Sequence, residues 1–294
     1  MKIGFIGLGT MGRPMALNLM KHQHDLTVFA RREASLGPLV EGGAATADSP
    51  AEVAAGCDVV FTMLTGTEDV ESVTLGANGI AEGARPGTVV IDTSTIAPAR
   101  TRMIGKQLEE GRIDFLDAPV SGGPQGAKDA SLSIMVGGKV EVLDRMRPLF
   151  NCIGTKVLHM GGQGAGQGTK ACHQLLLLIT AQGVAEALTL ASRAGLDVQQ
   201  VQQAMMGGMA SSRVLEFFGD RMARRDFSAG IESRLYHKDL DIVMQLAHSL
   251  GVSLPAGAVT MQFVNGLHGQ GHGTDDLSAL ITLLESLGEP SRTK

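Results

Sequence analysis

The chain has 294 residues, 44% of them hydrophobic and 19% charged, which is enough for sizeable cores in two domains. A net charge of −5 leaves no basic footprint, and 3% aromatic content without Trp leaves no stacking platform, so nucleic acid is excluded as a partner.

Lys2 to Ile6 reads as a strand running into Gly7-Leu8-Gly9-Thr10-Met11-Gly12, followed by helix through Pro14-Met15-Ala16-Leu17-Asn18-Leu19-Met20. Strand, G-x-G-x-x-G and helix in that order make a dinucleotide site. Gly7 permits the sharp bend, Gly9 lets the backbone meet a pyrophosphate, and Gly12 lets helix and strand pack closely. Thr10 and Met11 lie within that turn, and the phosphate sits at the helix N-terminus. The second strand, Leu26 to Ala30, ends in Phe29-Ala30-Arg31-Arg32-Glu33. A carboxylate here would bond the ribose hydroxyls of NAD; two guanidinium groups instead suit the 2′-phosphate of NADP. A pair of solvated surface arginines, one of them neutralised by Glu33, would look the same, so NAD stays possible.

Further strands are expected at Val59 to Met63, Thr88 to Asp92, Phe115 to Ala118, Ser133 to Val136 and Lys156 to His159, with helices between most of them. This alternation predicts an α/β Rossmann domain with a doubly wound, mostly parallel sheet. Asp117-Ala118-Pro119-Val120-Ser121-Gly122-Gly123 follows one of these strands. Its Ser121, Gly122 and Gly123 can aim backbone N–H groups at a small carboxylate, although the same residues also build plain turns.

After Gly161-Gly162-Gln163-Gly164 the pattern becomes helical: a long helix from Gln167 to about Ala194, then segments near 198–206, 212–224, 237–249, 257–268 and 275–287. The expected domains are 1–163, binding the dinucleotide, and 164–294, an all-α domain entered through a long interdomain helix. Lys170 stands near the start of that helix, where dipole and burial would both lower its pKa and fit it for proton transfer. The ordinary place for a lysine is nevertheless the solvated surface. His173 and Gln174 follow one turn on.

Cys57, Cys152 and Cys172 lack metal spacing and are expected as buried structural thiols in a reducing cytoplasm. No secretory leader is visible, and the longest apolar stretch, near Leu175 to Ile179, is shorter than a bilayer span, so no membrane contact is expected. His268-Gly269-Gln270-Gly271-His272 reads as a loop without a metal, with Thr274 or Asp275 capping the last helix and the methionines filling cores.

Six segments in order resemble the beta-hydroxyacid dehydrogenase family: Gly7 to Gly12, Asp92-Thr93-Ser94-Thr95, Asp117 to Gly123, Met135-Val136-Gly137-Gly138, Gly164 to Lys170 and His237-Lys238-Asp239-Leu240. The resemblance implies hydride exchange between NADP(H) and a small carboxylate-bearing semialdehyde. It assigns Lys170 as catalytic acid/base, Ser121 to Gly123 as substrate holder, and Thr95 to a place beside nicotinamide and substrate. Lys238 would close over the cofactor, with Met63 and Leu64 lining its cleft. It also implies a homo-oligomer, dimer or tetramer. The chain departs from the family's pattern at His173 and Gln174, where asparagine is usual, at Thr65 for proline and at Ala130 for glycine. Within the family, Ala118 to Gly123, Met206 to Ser212 and Gly273 to Leu280 most resemble the reductases of tartronate semialdehyde, which with its isomer hydroxypyruvate is the leading candidate substrate, glycerate being the product. His173 and Gln174 offer hydrogen bonds to its hydroxyl. Substrates of the 3-hydroxyisobutyrate, succinic semialdehyde and glyoxylate types are the alternatives. An imine reductase is disfavoured by Lys170, and a non-catalytic dinucleotide-binding module by the presence of a candidate for every catalytic role.

Overall fold

Among the described residues nine strands make one sheet: β1 (Lys2–Ile6), β2 (Asp25–Phe29), β3 (Ala45–Thr46), β4 (Val59–Thr62), β5 (Val89–Asp92), β6 (Asp114–Asp117), β7 (Val120–Ser121), β8 (Leu132–Gly137) and β9 (Gly154–Gly161). The structure is a computed structural model and describes residues 1–287. The first six strands are parallel in the order β3-β2-β1-β4-β5-β6, the doubly wound arrangement whose reversal between β1 and β4 opens a ligand crevice. β8 runs antiparallel to β6 and β7, and β9 runs parallel to β8.

Eight helices connect these strands: α1 (Gly12–Lys21), α2 (Gly37–Glu41), α3 (Pro50–Gly56), α4 (Thr67–Leu75), α5 (Ile80–Gly83), α6 (Pro98–Glu110), α7 (Gly123–Lys128) and α8 (Val140–Asn151). They cover both faces, so β4 and β5 are buried at every residue rather than alternating. In β4 the side chains of Val59 and Phe61 enter the core that also holds Phe5 and Phe150, while Val60 enters the opposite core with Ile6 and Val90. Phe5 and Phe61 stack at 5.9 Å, and Phe150 meets Phe61 edge-on at 6.3 Å. All seven expected strands are present. β3 and β7 are additional, and at two residues each they are too short to carry a periodic signal.

The chain forms two compact units, Met1–Lys170 and the part that begins at Ala171. The second contains most of α9 (Ala165–Arg193), then α10 (Val198–Met206), α11 (Asp220–Arg224), α12 (Ser233–Leu250), α13 (Pro255–Gly269) and α14 (Leu280–Leu287). Its core packs Leu178, Ala181, Ala185 and Leu188 of α9 with Leu240 of α12 and Leu267 of α13. With 29 residues and a mean hydropathy of 1.6 in its most apolar stretch, α9 is long and apolar enough, by length and composition, to cross a membrane. This revises the expectation drawn from Leu175 to Ile179 alone. Leu178, Ala181, Ala185 and Leu188 are buried in the core of the second unit, while Leu176 and Leu190 of the same helix are exposed.

Other details also depart from expectation. The 212–224 segment includes a π-helical turn, Leu215–Gly219, before α11. The last helix starts only at Leu280, after a 3-10 turn at Leu277–Ala279 capped by Asp276, which accepts from the Ser278 amide at 3.0 Å. Asp275 instead pairs with His272. His268 and Gly269 end α13 rather than forming a loop, and His268 stacks on His237 at 4.6 Å. Burial raises the thiol pKa values of Cys57 and Cys152, whereas Cys172 is exposed because it lies on the open face of α9. Met15, Met146 and Met222 fill cores, but Met209 is fully exposed.

Candidate active site

The three glycines of the first turn have three different surroundings. Gly7 has φ +99°, and a methyl group there would strike the Met63 carbonyl. A methyl group on Gly12 would strike the Gly7 carbonyl. At Gly9 it would meet nothing within 4 Å. The protein's own packing therefore demands glycine at Gly7 and Gly12, while Gly9 keeps its approach clear, as a pyrophosphate requires. The Met63 amide donates to Ile6 O at 2.9 Å, so Met63 and Leu64 border this turn at the ends of β1 and β4, where the strand order reverses. Gly9 and Thr10 are exposed, Met11 is half-buried, and the first turn of α1 carries no acidic residue and no side-chain cap. These residues fit a dinucleotide phosphate at a helix N-terminus.

Ala30, Arg31 and Arg32 lie just past β2. Both arginines are exposed, and Arg31 pairs at 3.4 Å with Asp69 of α4 rather than with Glu33, which opens a 3-10 turn.

At the ends of β4, β5 and β6 the polar side chains are joined. Thr62 Oγ1 donates to Asp92 Oδ1 at 2.8 Å, and Ser94 Oγ donates to the same oxygen at 2.6 Å. Ser94 Oγ accepts from the Leu64 amide at 2.8 Å. Gln167 continues the network: its Nε2 donates to Ser94 O at 2.7 Å and its Oε1 accepts from the Ile96 amide at 3.1 Å. Asp117, fully buried at the end of β6, accepts from the amides of Gly164 at 2.8 Å and Gln167 at 2.9 Å. Burial pushes its pKa up to about 6, opposed by those two amides and reinforced by the Asp92 carboxylate. The sheet ends thus hold the beginning of α9, on which Lys170 is only 6% exposed. That burial sets aside the solvated-surface alternative for Lys170. Thr95 is half-buried between Ser94 and Ile96.

Ser121 ends β7, and Gly122 (φ +136°) and Gly123 (φ +64°) turn the chain into α7. Both φ values lie where an L side chain is disfavoured. Asn18 of α1 donates to the carbonyls of Ala127 at 2.8 Å and Lys128 at 3.3 Å, fastening α7 to the helix of the first glycine turn. Ala130 has φ +53°, the left-handed conformation that glycine would adopt at lower cost.

In the second unit, buried Gln174 donates through Nε2 to Asp239 Oδ2, and Lys238 Nζ lies 2.7 Å from Asp239 Oδ1. His173 and Lys238 are half-buried. Sequence reasoning gave no role to Asp92, Asp117 or Gln167. The available signal was a carboxylate ending each of two short strands, Val89–Asp92 and Asp114–Asp117.

Two family models cover the chain. Residues 2–162 match the NAD binding domain of 6-phosphogluconate dehydrogenase, and residues 164–284 match the model described as NAD-binding of NADP-dependent 3-hydroxyisobutyrate dehydrogenase. The chain is 40% identical to 2-hydroxy-3-oxopropionate reductase of Escherichia coli K12 over 289 residues, 97% of each protein. It is 36% identical to 2-(hydroxymethyl)glutarate dehydrogenase of Eubacterium barkeri over 97% of this chain and 95% of that protein. Among solved structures, 3-hydroxyisobutyrate dehydrogenase of Mycobacterium tuberculosis, described with L-serine, superposes with a TM-score of 0.88 at 32% identity, covering 96% of this chain and 98% of that one.

Proposed function

The chain belongs to the beta-hydroxyacid dehydrogenase family and is an NAD(P)-dependent oxidoreductase of small hydroxyacids or semialdehydes, and on that premise we propose that it reduces tartronate semialdehyde to glycerate with NADPH. In this reading residues 1–163 bind the dinucleotide and 164–294 supply the substrate domain. Bound NADPH supplies the hydride, from its nicotinamide C4 to the aldehyde carbon. Lys170 gives a proton to the oxygen that becomes the alcohol, and in the oxidative direction it must be neutral to take that proton back. The Ser121 hydroxyl and the Gly122 and Gly123 amides hold the carboxylate, which fixes the carbonyl for transfer. Thr95 lies beside nicotinamide and substrate, and Lys238 serves the cofactor. The observation that carries the reading is a lysine buried to 6% exposure on a helix whose start is bonded to the sheet's ends.

Support for the hydroxylated substrate comes from the 40% identity to the reductase of 2-hydroxy-3-oxopropionate, which is tartronate semialdehyde under its systematic name. His173 and Gln174, the latter donating to Asp239, are the residues assigned to the substrate hydroxyl. A hydrogen-bonding site rejects an analogue that lacks the hydroxyl, because its own polar group is then left unpaired. Measured kcat/KM should therefore favour tartronate semialdehyde over methylmalonate and succinate semialdehydes and over glyoxylate by about tenfold or more. A preference for any of these three retires the substrate assignment.

NADPH should bind more tightly than NADH, with Arg31 and Arg32 receiving the 2′-phosphate. Replacing either by Ala removes a charge-assisted contact of about 1.5–3 kcal/mol, so NADPH affinity should fall about tenfold or more while NADH affinity barely changes. Titration of both cofactors decides this; equal loss for the two would show that these arginines do not read the phosphate.

A further inference from the structure

We propose that Asp117, together with Gln167, is a positioning residue for Lys170. The two fasten the first turn of α9 to the ends of β5 and β6, and so set where the lysine ammonium stands relative to the reacting carbonyl. The inference rests on Lys170 being the proton donor, and adds the device that places it.

The geometry is specific. Each carboxylate oxygen of Asp117 takes a different amide, Oδ1 that of Gly164 and Oδ2 that of Gln167, so the carboxylate grips the beginning of the helix at two points. The Gln167 side chain grips the segment after β5 at two more, Ser94 O and the Ile96 amide. Backbone packing leaves little slack. A methyl group on Gly166 would collide with Met135 O, and one on Gly137 would collide with Asp117 Oδ1. Helix start and strand ends therefore meet backbone to backbone. Lys170 follows Gln167 by three residues, less than one helical turn, and α9 is continuous through both. A displacement of the grip is passed directly to the lysine.

Around Asp117 stand Asp92 from β5, the amides of Gly164 and Gln167, and Gly137 of β8. A buried carboxylate beside another carboxylate is a costly choice for a purely structural link. An amide in its place would turn an N–H toward a backbone N–H and lose one of the two grips. Catalysis needs near-contact geometry, and a shift of about 1 Å at a reacting group can reduce rate about 100-fold.

The test compares Asp117→Asn, Gln167→Met, the double variant and Lys170→Ala in the full-length enzyme, assaying kcat, KM for NADPH, thermal midpoint and amide hydrogen exchange. Expected are a kcat loss of about 100-fold in Asp117→Asn with KM for NADPH within threefold, faster exchange confined to residues 164–170, and a double variant no worse than the poorer single one, because both act on one turn. Gln167→Met keeps the side-chain volume and should reproduce the kcat loss, so it decides the matter even if Asp117→Asn does not fold. The proposal is overturned if a folded Asp117→Asn or Gln167→Met variant keeps kcat within threefold, or if losses in the double variant multiply. Should Lys170→Ala itself retain turnover, the assignment of the proton donor fails instead, and the two failures are distinguishable.

Discussion

Lys170→Ala is expected to reduce turnover by about 100- to 10,000-fold, the usual contribution of a general acid or base, with NADPH affinity little changed. Lys170 lies in the compact unit that carries the dinucleotide turn, but it belongs to α9 rather than to the strand-to-helix turn of Gly7 to Gly12, so its removal should spare cofactor binding. Lys170→Arg separates two explanations of the loss. Arginine keeps the positive charge but holds its proton at every working pH, so it can polarise the carbonyl oxygen without exchanging a proton. If proton transfer is the role, Lys170→Arg should be nearly as slow as Lys170→Ala in both directions. Single-turnover rates with NADPH bound in advance measure this, and a Lys170→Ala rate within about threefold of the parent enzyme places the chemistry on another residue.

How far the sequence speaks depends on whether a feature is local. The mostly parallel sheet follows from strand-helix alternation, and the glycine turn from its spacing, since both are written in neighbouring residues. Lys170 was visible as a lysine between glycines and leucines, with burial one of its two readings, but what holds α9 was not, because the Asp117 carboxylate and the Ser94 backbone carbonyl lie 50 and 73 positions upstream of Gln167. The Arg31–Asp69 and Gln174–Asp239 pairs are hidden for the same reason, with partners on separate helices. Where periodicity was read too literally, the structure corrected it. Residues 275–287 divide into a 3-10 turn and α14, because Asp276 turns its carboxylate onto the Ser278 amide and delays the helix.

Gly9→Ala and Gly12→Ala should fail in opposite ways, although they occupy one motif. At Gly12 the added methyl group would be forced into the Gly7 carbonyl, a backbone atom that cannot swing aside, so α1 must move away from β1. Overpacking of this kind costs about 1–3 kcal/mol or more. In a protein of this size each kcal/mol lowers Tm by roughly 2–4 °C, so the cofactor-free Gly12→Ala variant should melt about 2–12 °C below the parent. Gly9→Ala meets no neighbour within 4 Å and should melt with the parent. Its defect appears only with the dinucleotide, because the methyl group fills the space through which a pyrophosphate meets the backbone. NADPH affinity should fall about 10- to 100-fold, equivalent to losing one good hydrogen bond to a charged group. Bound cofactor stabilises the folded state by RT ln(1 + [L]/Kd), so adding NADPH should raise Tm clearly in the parent and much less in Gly9→Ala at the same concentration. Thermal melts with and without NADPH measure both effects together. An unshifted cofactor-free Tm for Gly12→Ala would contradict the packing argument, and a parent-like NADPH shift for Gly9→Ala would mean that the pyrophosphate does not approach the chain at Gly9.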